Sequence, residues 1–110
     1  MNKTLLILTA MLILLLAAGV LFAQDAAAGK EAYSKKCASC HGASGEGKDA
    51  IAKMLKVELR HLGSKEVQSK PDAELAKISK DGTGKMKPTT GFTDKDAANV
   101  VSFLRTLAKK

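Results

Sequence analysis

The pattern of apolar and polar positions splits the chain into a leading apolar block and a remainder with helical periodicity. Lys3 precedes an apolar run from Leu5 to Ala23 that only Thr9 and Gly19 interrupt. A short basic start, an apolar middle and small residues near the end are the marks of a secretory signal. Cleavage after Ala23 fits, because Gln24 and Asp25 then open a polar chain. Cleavage after Ala28, with Ala26 at the minus-three position, fits as well. The run is close to the ~20 residues that span a bilayer, so an uncleaved N-terminal anchor is the alternative. The expected division is residues 1–23 as leader or anchor and residues 24–110 as one folded domain, placed outside the cytoplasm in either case.

Beyond the leader the period changes. Residues Asp25 to Ala38 are rich in Ala, Lys and Glu, good helix formers. Gly29, Tyr33 and Cys37 recur every four residues and so share one helix face. Three glycines within Gly42–Gly47 mark a loop. Ile51, Met54 and Leu55 support a helical turn or two over Asp49–Leu55. Val57, Leu59 and Leu62 alternate with Glu58, Arg60 and His61, which predicts an extended or irregular segment. Pro71, with Asp72 and Glu74 behind it, reads as a helix start; Leu75 and Ile78 give its apolar stripe, and Gly82 and Gly84 end it. Thr93 is placed as the N-cap of a last helix, in which Ala97, Val100, Val101, Leu104 and Leu107 recur at helical spacing beside Phe103. Arg105, Lys109 and Lys110 lie toward its C-terminus, where cations suit the helix dipole. The prediction is all-α, with loops between an early, a middle and a late helix.

Removing residues 1–23 takes away Lys3 and no acidic side chain, leaving 17 basic and 11 acidic side chains, a balance of +6. About 87 residues then remain, too few for a deep apolar core without a staple. No Trp is present, and aromatics are 4% of the chain. The lysines are scattered, which serves solubility, but net positive charge also speeds encounter with acidic partner surfaces. Nucleic acid is excluded as a partner, because an exported chain without a basic run interleaved with aromatics lacks the footprint for it.

Candidate chemistry centres on Cys37-Ala38-Ser39-Cys40-His41, which holds the only two cysteines. The C-x-x-C-H pattern is that of covalent c-type haem attachment. Two thiols three residues apart reach two vinyl groups on one edge of a porphyrin, and a histidine directly after the second can turn under the ring to ligate iron. The competing readings are weaker. A thioredoxin-like dithiol needs a βαβ setting, and no strand-rich stretch flanks this one. A structural zinc site takes four Cys or His ligands, and only His61 remains beyond the cluster. A disulfide across so tight a loop is strained and does not call for the histidine. The glycine-rich stretch lacks the lysine-serine ending and the preceding strand of a phosphate loop.

Met86 stands in the glycine-rich loop Asp81–Pro88, where core filler is not expected, and a thioether is a soft ligand for haem iron. His61, Met54 and an open sixth site are the alternatives. Arg60 is a candidate partner for a haem propionate, since Arg suits carboxylates, and a solvated surface charge is its competing reading.

Taken together, Gly29 and Tyr33 ahead of CASCH, the long middle segment, Met86 followed by Pro88, and a terminal helix with Val100 and Phe103 resemble a monohaem class I cytochrome c. The resemblance covers essentially the whole chain after the leader. It implies first and last helices crossing near right angles, with Gly29 and Tyr33 meeting Val100 and Phe103, and a middle helix and loops wrapped round one covalently attached haem c. It implies Cys37 and Cys40 as thioether anchors, His41 as proximal and Met86 as distal iron ligand. Some positions depart from the family pattern. No proline lies between His41 and Pro71 to offer its carbonyl to the proximal imidazole, so another carbonyl of that loop is expected there. Lys87 separates Met86 from Pro88. The propionate-binding Trp is absent, with Arg60, Lys53 or Lys56 in its place.

The function implied is one-electron transfer between extracytoplasmic donor and acceptor proteins with acidic docking surfaces, without transformation of a substrate. Two other classes stay open at this point: a haem enzyme or gas sensor with an open sixth site, and a haem subunit of a larger membrane oxidoreductase.

Overall fold

The computed structural model describes residues 2–21 and 25–109. The cleavage point after Ala23 and the terminal Lys110 lie outside the described residues. Seven helices follow one another among them: α1 (Lys3–Leu21), α2 (Ala26–Lys36), α3 (Ala38–His41), α4 (Asp49–Leu55), α5 (Lys65–Gln68), α6 (Asp72–Asp81) and α7 (Asp94–Thr106). The one extended pairing among the described residues is an isolated antiparallel bridge between Thr83 and Met86.

The apolar leader is helical as α1, and its side chains from Leu5 through Leu14 are all exposed. Its 19 residues reach about 28 Å at ~1.5 Å each, just under the ~30 Å hydrocarbon core of a bilayer. Among the described residues no helix is long and apolar enough to cross a membrane.

The core forms where α2 meets α7. Helix α2 starts at Asp25, whose carboxylate accepts from the Ala28 N–H at 3.0 Å, while the Asp25 N–H donates to Asn99 Oδ1 at 3.2 Å. Helix α7 starts with a capping box: the Thr93 hydroxyl accepts from the Asp96 N–H and the Asp96 carboxylate accepts from the Thr93 N–H. That backbone donor holds the Asp96 carboxyl below its ordinary range.

Gly29 lets the two helices touch. A Cβ there would lie 1.9 Å from the Asn99 carbonyl oxygen, so position 29 accepts no side chain. One turn on, the rings of Tyr33 and Phe103 are 5.0 Å apart and tilted by 54°, a favourable aromatic arrangement. Phe92, Ala97, Val100 and Leu104 complete this cluster, with Tyr33 and Val100 the most deeply buried large side chains. The contact between Gly29, Tyr33 and the Val100–Phe103 stretch is the one expected.

A second, smaller cluster of Val67, Leu75 and Val101 seats α5 and α6 against the other side of α7. Helix α6 begins at Asp72 with Pro71 as its N-cap, at the helix start expected there. Arg105 does more than face the dipole. Its guanidinium donates to the carbonyls of Gln68 and Lys70, both at 2.7 Å, and to Asp72 at 2.6 Å, which ties the start of α6 to the end of α7. Residues 57–62 form no helix, and Val57, Leu59 and Leu62 are half-buried between exposed Glu58 and Arg60, matching the alternation.

Candidate haem site

The carbonyl of Cys37 accepts from both the Cys40 and the His41 N–H, at 3.2 and 3.0 Å, and the Ala38 carbonyl accepts from Gly42 at 2.9 Å. This single turn, α3, puts Cys37, Cys40 and His41 at i, i+3 and i+4, and hence on one face. Cys37 also closes α2, its N–H donating to the Tyr33 carbonyl at 2.8 Å. The packed α2–α7 pair therefore fixes the position of the first thiol.

Both thiols are free and half-buried. Burial, with Cys40 beside it, pushes the Cys37 thiol up to about 11. A thiol held protonated at neutral pH is the opposite of the activated thiolate of a dithiol oxidoreductase. Burial lowers the pKa of His41, so the imidazole is neutral at pH 7, the form that ligates iron. Its Nδ1 is buried and meets no hydrogen-bond partner among the described residues.

The glycine-rich loop doubles back onto the motif. Gly47 N–H donates to the His41 carbonyl at 2.6 Å and Lys48 N–H to the Cys40 carbonyl at 3.0 Å. The Tyr33 hydroxyl donates to the Gly42 carbonyl at 2.6 Å. The motif's carbonyls accept from backbone amides and from Tyr33, and the expected bond from a loop carbonyl to His41 Nδ1 is not formed among the described residues. The Glu46 carboxylate accepts from the Ser44 N–H at 2.8 Å. Backbone donors at Glu46 and Ser44 hold this carboxyl below its ordinary range. Glu46 and the Tyr33–Gly42 bond were not predicted. An acid set among glycines is the one sequence signal that points to the first.

Met86 ends a tight hairpin. Thr83 and Met86 exchange backbone hydrogen bonds at 3.0 and 2.9 Å. Gly82 ends α6 with φ of 76°, and a Cβ there would lie 2.2 Å from the Met86 carbonyl oxygen. Only glycine both takes that left-handed conformation freely and leaves room for the hairpin. Met86 is half-buried, whereas Met54 on α4 is 68% exposed. Met54, an alternative sixth ligand by sequence, lies at the surface of α4. His61 Nδ1 accepts from the Gly63 N–H at 2.9 Å, so that ring holds its own turn. Arg60 pairs with Glu66 at the surface. A cleft of about 540 Å³ opens along residues 47–59, lined by Lys48, Lys53 and Lys56 around Ala52, Val57 and Leu59. It adjoins the loop that follows His41, but neither the motif nor Met86 lines it.

The donor set fits a covalently held haem. Two thiols and a neutral histidine share one face of one turn, and the histidine ring is bonded to nothing described. Among the described residues no group of three His, Cys, Asp or Glu side chains could hold a metal ion.

A sequence profile of the cytochrome c family matches residues 26–108. The chain belongs to the cytochrome c family. It is 32% identical over 91 residues to cytochrome c-554(547) of Halothiobacillus neapolitanus, an alignment covering 77% of this chain and 99% of that protein. Its fold is similar to that of the solved c-type cytochrome KustC0563, with a TM-score of 0.64 and 24% identity over 74% of this chain and 98% of that one. This cytochrome therefore has the all-α fold of its family, carries covalently attached haem c with iron, and is a haem-based electron carrier.

Proposed function

We propose that this cytochrome passes single electrons between extracytoplasmic redox proteins and transforms no substrate. Cys37 and Cys40 would hold the haem by thioethers to its two vinyl groups. His41 would supply the proximal ligand and Met86 the distal one. The observation that carries the reading is the shared face of Cys37, Cys40 and His41 on the turn that α2 and α7 hold in place. Haem c supplies the ferric/ferrous couple. The protein fixes two soft and borderline ligands, Met86 sulfur and a neutral imidazole, and the thioether raises the potential. Arg60 is already engaged by Glu66, so it shares the propionate role with Lys53 and Lys56 at the cleft. Residues 1–23 serve as an export signal that places the domain in the periplasm, and the electron donor and acceptor present acidic docking surfaces.

An absorption spectrum of the matured protein, oxidised and then reduced, tests this reading. The expected result is a low-spin c-type spectrum with the weak far-red band of ferric iron bound to methionine sulfur, lost in Met86→Ala. A low-spin spectrum without the band would move the sixth ligand to His61. A high-spin spectrum would point to an open iron and to gas or peroxide chemistry.

A further inference from the structure

Two segments of this protein lie outside the packed core. Helix α4 has no buried residue, and the Thr83–Met86 hairpin has its tip, Gly84 and Lys85, in solvent. The hairpin's return strand is tied to α6, where Thr89 donates from its N–H to the Lys80 carbonyl at 3.0 Å and from its hydroxyl to the Ser79 carbonyl at 2.8 Å. Its other tie is long-range: Lys85 Nζ donates to the Leu55 carbonyl at 2.7 Å, across thirty positions of sequence. Leu55 is the last residue of α4, where carbonyls lack helical partners and the dipole is negative. Backbone amides take the neighbouring carbonyls, Lys56 donating to Lys53 at 3.3 Å and Val57 to Ala52 at 3.0 Å. Among the described residues the Met54 and Leu55 carbonyls take no such amide, and an ammonium on the second is a charge-assisted hydrogen bond at a site that favours a cation.

We propose that Lys85 is a positioning residue for the distal ligand: its bond to the Leu55 carbonyl latches the Met86 hairpin to the end of α4 and holds the Met86 sulfur in place. This rests on the reading of Met86 as sixth ligand. Lys85 immediately precedes Met86, and the Thr83–Met86 bridge makes the hairpin move as one piece. Opening the latch therefore frees the methionine from one side while Gly82 and Thr89 still hold it from the other. The latch sets how readily an outside ligand displaces Met86, and leaves the resting ligand set unchanged.

The test is imidazole titration of the ferric holoprotein at pH 8, followed by the far-red band. Imidazole is a probe that is largely uncharged at slightly alkaline pH, so pH 8 separates latch opening from charge steering. Lys85→Leu removes the donor and adds no second thioether beside Met86. It should bind imidazole about three- to tenfold more tightly, the range that loss of one such hydrogen bond gives. Lys85→Arg, which can still donate to the carbonyl, should return most of the way to wild type. Lys87→Leu, which removes a charge on the other side of Met86, should match wild type. All variants should keep the far-red band before imidazole is added. Equal imidazole affinity in wild type and Lys85→Leu, with the band present in both, overturns the latch alone. A wild-type protein without the band overturns the Met86 reading and the latch with it.

Discussion

Tyr33 is the residue that joins the core to the haem motif. Its ring packs on Phe103 in the core, and its hydroxyl holds the carbonyl of Gly42, the residue after His41. Tyr33→Phe keeps the ring and removes the donor. The Gly42 carbonyl retains a longer bond from the Gly45 N–H at 3.3 Å, so the cost is expected near ~1 kcal/mol, read from urea unfolding at pH 7. Burial, with negative charge at Cys37 and Glu46 nearby, raises the Tyr33 hydroxyl from 10.0 to about 12. Thioether formation removes the Cys37 contribution and leaves the larger one, burial. The folded state therefore keeps a proton that the unfolded state releases, and stability falls as pH rises through the window from 10.0 to about 12. Tyr33→Phe lacks this loss, so the gap between variant and wild type should close across that window. A gap that stays constant would show that Tyr33 ionises as freely in the folded state as in the unfolded one. At this scale the sequence was informative where chemistry is local. Cys37, Cys40 and His41 declare themselves because a spacing of three and four is one helical turn. The Tyr33–Gly42 bond and the Lys85–Leu55 bond join a side chain to a distant carbonyl, and carbonyls carry no mark in a sequence.

Among the elements, the α2–α7 crossing is the most exacting contact, and Gly29 shows how two effects compete there. Alanine in place of glycine favours a helix by about 1 kcal/mol. Against this, the added Cβ would sit 1.9 Å from the Asn99 carbonyl oxygen, a backbone atom that cannot rotate away. Forcing the helices apart disturbs the Tyr33–Phe103 pair and costs roughly 3 kcal/mol by overpacking. The net expectation for Gly29→Ala is about 2 kcal/mol of destabilisation. For a domain of this size that lowers Tm by on the order of 10 °C, measured by circular dichroism of the matured protein. A Tm equal to or above wild type would mean that the helices do not meet at Gly29. Helix α7 was legible because an N-cap and a sustained apolar period mark it, and α2 because its composition favours a helix. Helix α5 was not predicted: over Lys65–Gln68 only Val67 is apolar, and the turn is held by Ser64 at its start and by Gln68 donating to the Leu62 and Leu104 carbonyls. Such a turn depends on tertiary partners that no local pattern encodes.

For the whole molecule, the proposed docking on acidic partners turns on charge. Residues 24–110 carry 17 basic and 11 acidic side chains, and three of the lysines, Lys48, Lys53 and Lys56, edge the cleft beside the loop that follows His41. An electron crosses only when two proteins meet with their redox centres close, so the face that docks matters more than the total charge. If the cleft side docks, the acidic surface of a partner lies against these lysines. Attraction of this kind raises association rates by roughly ten- to a thousandfold at low salt and fades as the screening length shrinks from ~30 Å at 0.01 M to ~3 Å at 1 M. The second-order rate of electron transfer to an acidic redox partner, followed by stopped flow, is therefore expected to fall at least tenfold over that range of salt. Lys53→Glu and Lys56→Glu together should lower the low-salt rate and flatten its salt dependence. The same pair of reversals at Lys30 and Lys77, on α2 and α6, reproduces the change in net charge without touching the cleft. Equal losses from both pairs would mean that net charge alone steers the encounter; a loss confined to the cleft pair locates the docking face.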